Sequence, residues 1–132
     1  MVKKGTICAL GIMLFFAGYA MCFDEKQLLQ LKKTSNCAKC DLSNAKLSGL
    51  DLSYADLSSA NLSGADLSGA TLYGANLGGA TLTKANLTEA NLYDANLLKA
   101  QVKDANFSKA NLYNAVWTDG KRCGQGSTGV CK

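Results

Sequence analysis

The chain has 132 residues, with 14 lysines and arginines against 10 aspartates and glutamates, a net charge of +4, and no histidine. Without imidazole it lacks the commonest general base and any histidine metal ligand, and so small and dispersed a positive charge leaves no electrostatic footprint for nucleic acid.

The N-terminus reads as a targeting segment. Lys3 and Lys4 precede an apolar run from Ile7 to Ala17, and small residues follow at Gly18 and Ala20. This order predicts a signal peptide over residues 1–22, cleaved after Ala20 or Cys22, and hence a periplasmic or secreted protein with no stable membrane insertion after cleavage. Two minority readings stand beside it. The uncharged stretch from Gly5 to Phe23 nearly suffices to span a bilayer and would serve as an anchor. Lipidation at Cys22 is the other, although Tyr19 and Met21 replace the aliphatic and small residues usual in such motifs.

Residues 23–39 predict a capping helix and linker. Asp24 can act as N-cap with Gln27 three residues on, and Phe23 can pack on Leu28 as a hydrophobic staple. The apolar spacing then predicts a helix over residues 25–34 that offers Leu28, Leu29 and Leu31 to the downstream repeats, with Lys32 and Lys33 favourable at its C-terminal end. An amphipathic helix could instead bind a membrane or a partner, but a repeat array with an open end begins immediately downstream.

That array is sixteen consecutive pentapeptides from Cys40 to Asp119, in the pattern Ala-Asn/Asp-Leu-Xaa-Xaa, as in Ala60-Asn61-Leu62-Ser63-Gly64 and Ala85-Asn86-Leu87-Thr88-Glu89. A period of five would spiral an apolar stripe around a helix and switch faces at each repeat of a continuous strand, so a turn must intervene in every unit. The pattern resembles the pentapeptide-repeat family over residues 40–119. The resemblance implies an all-β solenoid, a right-handed quadrilateral β-helix of about four coils, with one pentapeptide per side and the leucines and alanines inward. At the ordinary inter-strand spacing such a prism is roughly 15–20 Å long, and its open ends need caps.

Within that frame residues twenty apart lie above one another. Tyr73, Tyr93 and Tyr113 then share one outward column, with Tyr54 beside its foot. The column reads either as a ladder that stabilises successive coils or as an aromatic platform for a partner protein or a glycan. Lys84 falls under Asp104, Glu89 under Lys109 and Lys99 under Asp119, which suggests stacking ion pairs. Gly64, Gly69, Gly74 and Gly79 occupy the second outward position of one coil, so that coil is expected to turn differently from later ones. Leu50, Val102, Phe107 and Trp117 break the inward pattern and predict local repacking, with Trp117 closing the C-terminal end.

If Cys8 and Cys22 leave with the leader, four cysteines remain. Cys37 and Cys40 precede the first coil and Cys123 and Cys131 lie in the tail at 120–132, separated by most of the prism, so local disulfides Cys37–Cys40 and Cys123–Cys131 are expected. A redox dithiol is the rival reading of Cys37-Ala38-Lys39-Cys40, but this follows the predicted helix instead of opening one.

No catalytic motif, metal site or cofactor motif is present, and Asp41, Asp51, Asp56 and Asp66 sit at regular outward positions as solvated repeat residues. The expectation is a non-enzymatic structural or protein-interaction module without cofactor. The alternative, drawn from family members that mimic acidic DNA toward a type II topoisomerase, is weakened by five lysines against eight acids in residues 40–119. A thiol–disulfide role is weaker still. Composition leaves the partner and the oligomeric state open.

Overall fold

The computed structural model describes residues 25–132. The leader over 1–22, Phe23 and the Asp24 cap lie outside the described residues, as do Cys8 and Cys22.

One helix, α1 (Glu25–Thr34), precedes the repeats. It buries Leu31 and half-buries Leu28, which share a face at a spacing of three, while Leu29 points away and is 52% exposed. The expectation that all three leucines face the solenoid is thus corrected by helix geometry. Gln27 also has a role other than closing a capping box. Its side-chain oxygen accepts a hydrogen bond from the backbone N–H of Asp41, so α1 satisfies an edge donor of the first coil. The helix ends at Ser35, whose φ is 52° and whose N–H donates to the Leu31 carbonyl at 2.9 Å.

Beyond α1 the chain is a solenoid held by parallel bridges between residues twenty apart, from Asn36 with Asp56 through Asn61 with Thr81 to Asn96 with Val116. Twenty residues hold four pentapeptides, hence four sides. Each side repeats the same bonds: Leu62 N–H donates up to the Thr81 carbonyl at 2.8 Å, Gly64 N–H to Thr83 at 2.9 Å, and Thr81 N–H returns to Ala60 at 2.9 Å. The straight portion of each side is short because a corner follows every five residues, so the sheets consist of isolated bridges instead of long strands.

The corner has one geometry throughout. Gly64, Gly69, Gly74 and Gly79 have φ of 62–67°, and Tyr54, Lys84, Glu89, Asp94, Lys99, Asp104 and Lys109, at the same repeat position, have φ of 58–60°. The coil rich in glycine therefore does not turn differently. The right angle demands a left-handed residue whatever its side chain, and each non-glycine corner carries a conformational cost of about 1–2 kcal/mol that the ladder and core must offset.

The solenoid begins one unit before the expected boundary at Cys40. Asn36 bridges Asp56, Cys37 N–H donates to the Asp56 carbonyl at 2.8 Å, and Lys39 takes the left-handed corner at φ 62°. Cys37 thus stands at a leucine position and Cys40 at the following alanine position of the first side.

The core is two interleaved sets, leucines such as Leu57, Leu72 and Leu87 and alanines such as Ala55, Ala70 and Ala85, all buried. Burying each leucine contributes about 1.5–3 kcal/mol, and alanine leaves room for the leucine of a neighbouring side. Near the C-terminal end Phe107 replaces a leucine and meets the half-buried Trp117 edge to face at 5.3 Å. The tail then folds over the last coil through antiparallel bridges of Asn111 with Thr128 and Val116 with Arg122.

Candidate functional site

Each outward side chain is aimed by the corner that precedes it, so residues at one repeat position stack as columns on a rigid wall. The tyrosines form a continuous column of four. Tyr73 and Tyr93 are stacked, with ring centroids 5.3 Å apart and planes 9° from parallel. Tyr54 meets Tyr73 edge-on at 5.2 Å and 82°, and Tyr113 meets Tyr93 at 5.4 Å and 69°.

Tyr54 comes from the left-handed corner position rather than from the column itself. It joins because Gly74 stands above it: a Cβ at Gly74 would fall 2.7 Å from Tyr54 Cε1. The glycine that sequence reasoning assigned to turn geometry is therefore also the seat of the Tyr54 ring. Tyr54 is 71% and Tyr113 41% exposed, and the middle pair is half-buried. The Tyr73 phenol is held above its ordinary pKa, first by hydrogen bonding with the Tyr54 side chain and then by electrostatic interaction with it. The inner rings turn their faces to one another, leaving edges and hydroxyls for solvent, which suits polar and edge contacts with a protein better than stacking on a sugar ring.

The asparagine and aspartate of each repeat form a second ordered feature. Their Oδ1 accepts the backbone N–H two residues on, as in Ser63 to Asn61 at 3.2 Å and Thr88 to Asn86 at 3.1 Å, which tightens each corner. The asparagine amide then donates to the residue one coil below: Asn61 to Asp41 at 3.1 Å, Asn86 to Asp66 at 3.2 Å, Asn76 to Asp56 at 3.3 Å, and Asn96 to Asn76 at 3.2 Å. Asn114 does the same to Asp94 in a neighbouring column. The direction is constant. Asparagine supplies one acceptor and one donor, whereas an ionised carboxylate only accepts, so at each step that pairs the two, aspartate is the lower, accepting member and asparagine the upper, donating one.

These carboxylates differ from the freely solvated groups expected. Asp41, Asp56 and Asp66 are half-buried. Asp56 and Asp66 are held below the ordinary carboxylate range, first by side-chain hydrogen bonds from Ser58 and Ser68 and then by the backbone N–H groups of those serines. Asp51, exposed, is lowered in the same way by Ser53. A carboxylate stabilised in its charged form is a poor proton donor near neutral pH.

Of the three expected stacking ion pairs, Glu89 with Lys109 forms at 3.0 Å. Asp119 instead pairs with Lys121 at 3.2 Å, because the chain leaves the solenoid there, with Gly120 as the left-handed residue. No ion pair joins Lys84 to Asp104 among the described residues.

Cys37 is bonded to Cys40, with Cα atoms 5.2 Å apart, and Cys123 to Cys131, with Cα atoms 4.9 Å apart. Cys37 is 0% and Cys40 6% exposed. Their disulfide fills the place of a leucine and an alanine at the foot of the core, which shields it from an attacking thiolate. Among the described residues no cluster of cysteine and carboxylate side chains could hold a metal, and no helix is long and apolar enough to cross a membrane.

A family model described as pentapeptide repeats matches residues 35–74 and 72–108, in 8 copies. Its first match begins at the unit that the structure adds before Cys40. Among solved structures, alr5209, a pentapeptide repeat protein from Nostoc Pcc 7120, is 33% identical, covers 70% of this chain and 78% of its own, and superposes with a TM-score of 0.65. A second, the pentapeptide repeat protein Rfr23 from the cyanobacterium Cyanothece 51142, is 28% identical over 69% of this chain and 82% of its own, with a TM-score of 0.47. No curated protein matches the chain. The matched repeats and the first of these neighbours imply the right-handed, four-sided β-helix.

Proposed function

The chain belongs to the pentapeptide-repeat family, and on that premise we propose that it is an exported, non-catalytic module of about four coils whose rigid wall holds a protein partner. The tyrosine column carries this reading. Its four rings lie 5.2–5.4 Å apart on segments hydrogen-bonded from coil to coil, so the rings hold one another and have less side-chain freedom to lose on binding. The edges and hydroxyls that it exposes favour a protein over a glycan. Mimicry of DNA needs a strongly acidic wall, and residues 40–119 set five lysines against eight acids. Export rests on the leader pattern of residues 1–22 and agrees with two disulfides, which persist in oxidising compartments.

The test replaces Tyr73, Tyr93 and Tyr113 together with serine, in cells of the native source fractionated before affinity capture. As a contact face, the column should lose its captured partner on substitution while the fold survives. As a ladder alone, the variant should melt about 5–10 °C lower and keep its partner. Unchanged capture would retire the tyrosine face, and cytosolic retention would retire export.

A further inference from the structure

Between residues 23 and 132 the chain offers an oxidant few targets. All three methionines, Met1, Met13 and Met21, lie ahead of that stretch, histidine is absent, and Cys37, Cys40, Cys123 and Cys131 are already in disulfides. What remains readily oxidisable is Trp117, half-buried against Phe107, and four tyrosines, all of them in the one column. Their ring centroids are 5.2–5.4 Å apart, so an electron removed from one ring is readily replaced from the next, and the oxidised site moves along the column until it reacts.

Geometry sets where it reacts. Tyr73 and Tyr93 lie face to face with planes 9° from parallel, so an edge carbon of one cannot bond to an edge carbon of the other without unstacking. Tyr54 and Tyr73 are placed differently. Their phenols hydrogen-bond to each other, which brings the oxygens together and, with them, the ortho carbons Cε, each bonded to the carbon that carries oxygen. Tyr54 meets Tyr73 edge-on at 5.2 Å and 82° and is 71% exposed, so its ring is open to a dissolved oxidant and can turn toward its neighbour over the space that Gly74 leaves. Asp94, above Gly74 on the same corner column, sets a negative charge near the Tyr73 phenol, which favours removal of an electron there.

We propose that the column is an oxidative modification site at which Tyr54 and Tyr73 become joined by a Cε–Cε bond, stapling one coil to the next. The co-reactant is a one-electron oxidant of the peroxide class. Each phenol loses one electron and its hydroxyl proton, and the two ortho carbons, which carry much of the unpaired electron, pair to form the new bond. The hydrogens on those carbons then pass to the oxygens, restoring two aromatic phenols. Hydrogen peroxide takes the two electrons and two protons and leaves as two waters, so the chain loses two hydrogens in all. Proximity within the column favours this bond over one between copies. None of these steps requires a partner on the wall.

The experiment treats the full chain, disulfides intact and dilute, with hydrogen peroxide and a haem peroxidase, and in parallel with photo-oxidised ruthenium tris(bipyridine), a small oxidant that reaches any exposed ring. Expected are the blue fluorescence of linked phenols in a chain that still runs as one copy on a denaturing gel, and a peptide pair joined through Tyr54 and Tyr73 after cleavage before Asp56 and Asp66, which lie between the two tyrosines. Tyr54→Phe keeps the ring but forms no phenoxyl, and should lower the fluorescence at least about ten-fold, whereas Tyr113→Phe should leave it within about two-fold. The same linked peptides are expected in chain recovered from peroxide-exposed cells of the native source. A dominant link between Tyr93 and Tyr113, links only between copies, or oxidation confined to Trp117 would overturn the assignment. So would recovered chain in which Tyr54 and Tyr73 stay unlinked.

Discussion

Replacing Asn76 with aspartate changes one amide nitrogen to oxygen and reverses the hydrogen-bond logic of its column. Asn76 donates to Asp56 at 3.3 Å and accepts from Gly78 N–H at 3.1 Å and from the Asn96 amide at 3.2 Å. Asn76→Asp keeps both acceptor roles, removes the donor, and sets two carboxylates at about the same separation. Two unit charges 3.3 Å apart repel by about 1.3 kcal/mol in bulk water and about 5 kcal/mol at an effective dielectric of 20; the site is half-buried, and screening keeps the repulsion toward the lower figure. The lost charge-assisted hydrogen bond adds about 1.5 kcal/mol, and stronger acceptance from Gly78 and Asn96 offsets about a third of the total. The net expectation at pH 7 is a loss of about 2–4 kcal/mol, or about 10–20 °C in melting temperature. Asp56→Asn, which keeps an Oδ1 to accept from Ser58 N–H and the Asn76 amide, should cost about 1 kcal/mol or less. Thermal unfolding followed by the fluorescence of Trp117 at pH 7 and pH 3 compares the two. At pH 3 one of the two facing carboxyls in the Asn76→Asp variant takes up a proton and can donate again, so most of the deficit should vanish. Equal stability of Asn76→Asp and Asp56→Asn at pH 7 would refute a directional column.

Leu87→Asp should abolish folding, since it places a carboxylate in the buried leucine column, whereas Thr83→Asp on the wall should stay within about 0.5 kcal/mol; circular dichroism separates them. Ser68 is unsuitable as that control because its hydroxyl donates to Asp66 at 2.7 Å. Gly74→Ala should cost about 2 kcal/mol or more, combining left-handed strain with the Tyr54 clash, while Gly49→Ala, with open space around its added Cβ, should show only strain of about 1 kcal/mol; adding Tyr54→Ala should remove the excess in a double-mutant cycle. Asp56 and Asp66 have lowered folded-state pKa values, so their stabilisation is present above the unfolded value of 3.8 and is lost as pH falls through the folded value; the double asparagine variant should flatten the acid limb of the stability curve below about pH 4. Mass analysis of the exported, non-reduced protein should find cleavage near residues 20–22 and peptides linking Cys37 to Cys40 and Cys123 to Cys131, with no free thiol among these four cysteines; an uncleaved leader would contradict the signal-peptide reading.

The amino-acid sequence by itself determined which residues point inward. A leucine every five residues and an alanine two places before it leave a closed, cornered path as the way to bury both, and the helix over 25–34 follows from its own apolar spacing. It also placed Tyr73, Tyr93 and Tyr113 in one column, because their spacing equals one turn of the solenoid. Only the tertiary structure decided what those columns do between coils. The period of five does not say that an asparagine amide points toward the N-terminal end, and therefore that aspartate belongs below Asn76, as its acceptor, in the run Asp56–Asn76–Asn96. Nor does it show that Tyr54 crosses from a corner position onto Gly74, since that contact joins residues twenty apart through space left by a missing Cβ. Glycine composition suggested one unusual coil, yet every corner is left-handed, because the right-angled path imposes its backbone angle on lysine and glutamate as firmly as on glycine. Cys37 read as linker for the same reason that Leu29 read as core: local pattern registers apolar character, whereas the face a residue occupies is settled by the neighbouring coil against which it bonds.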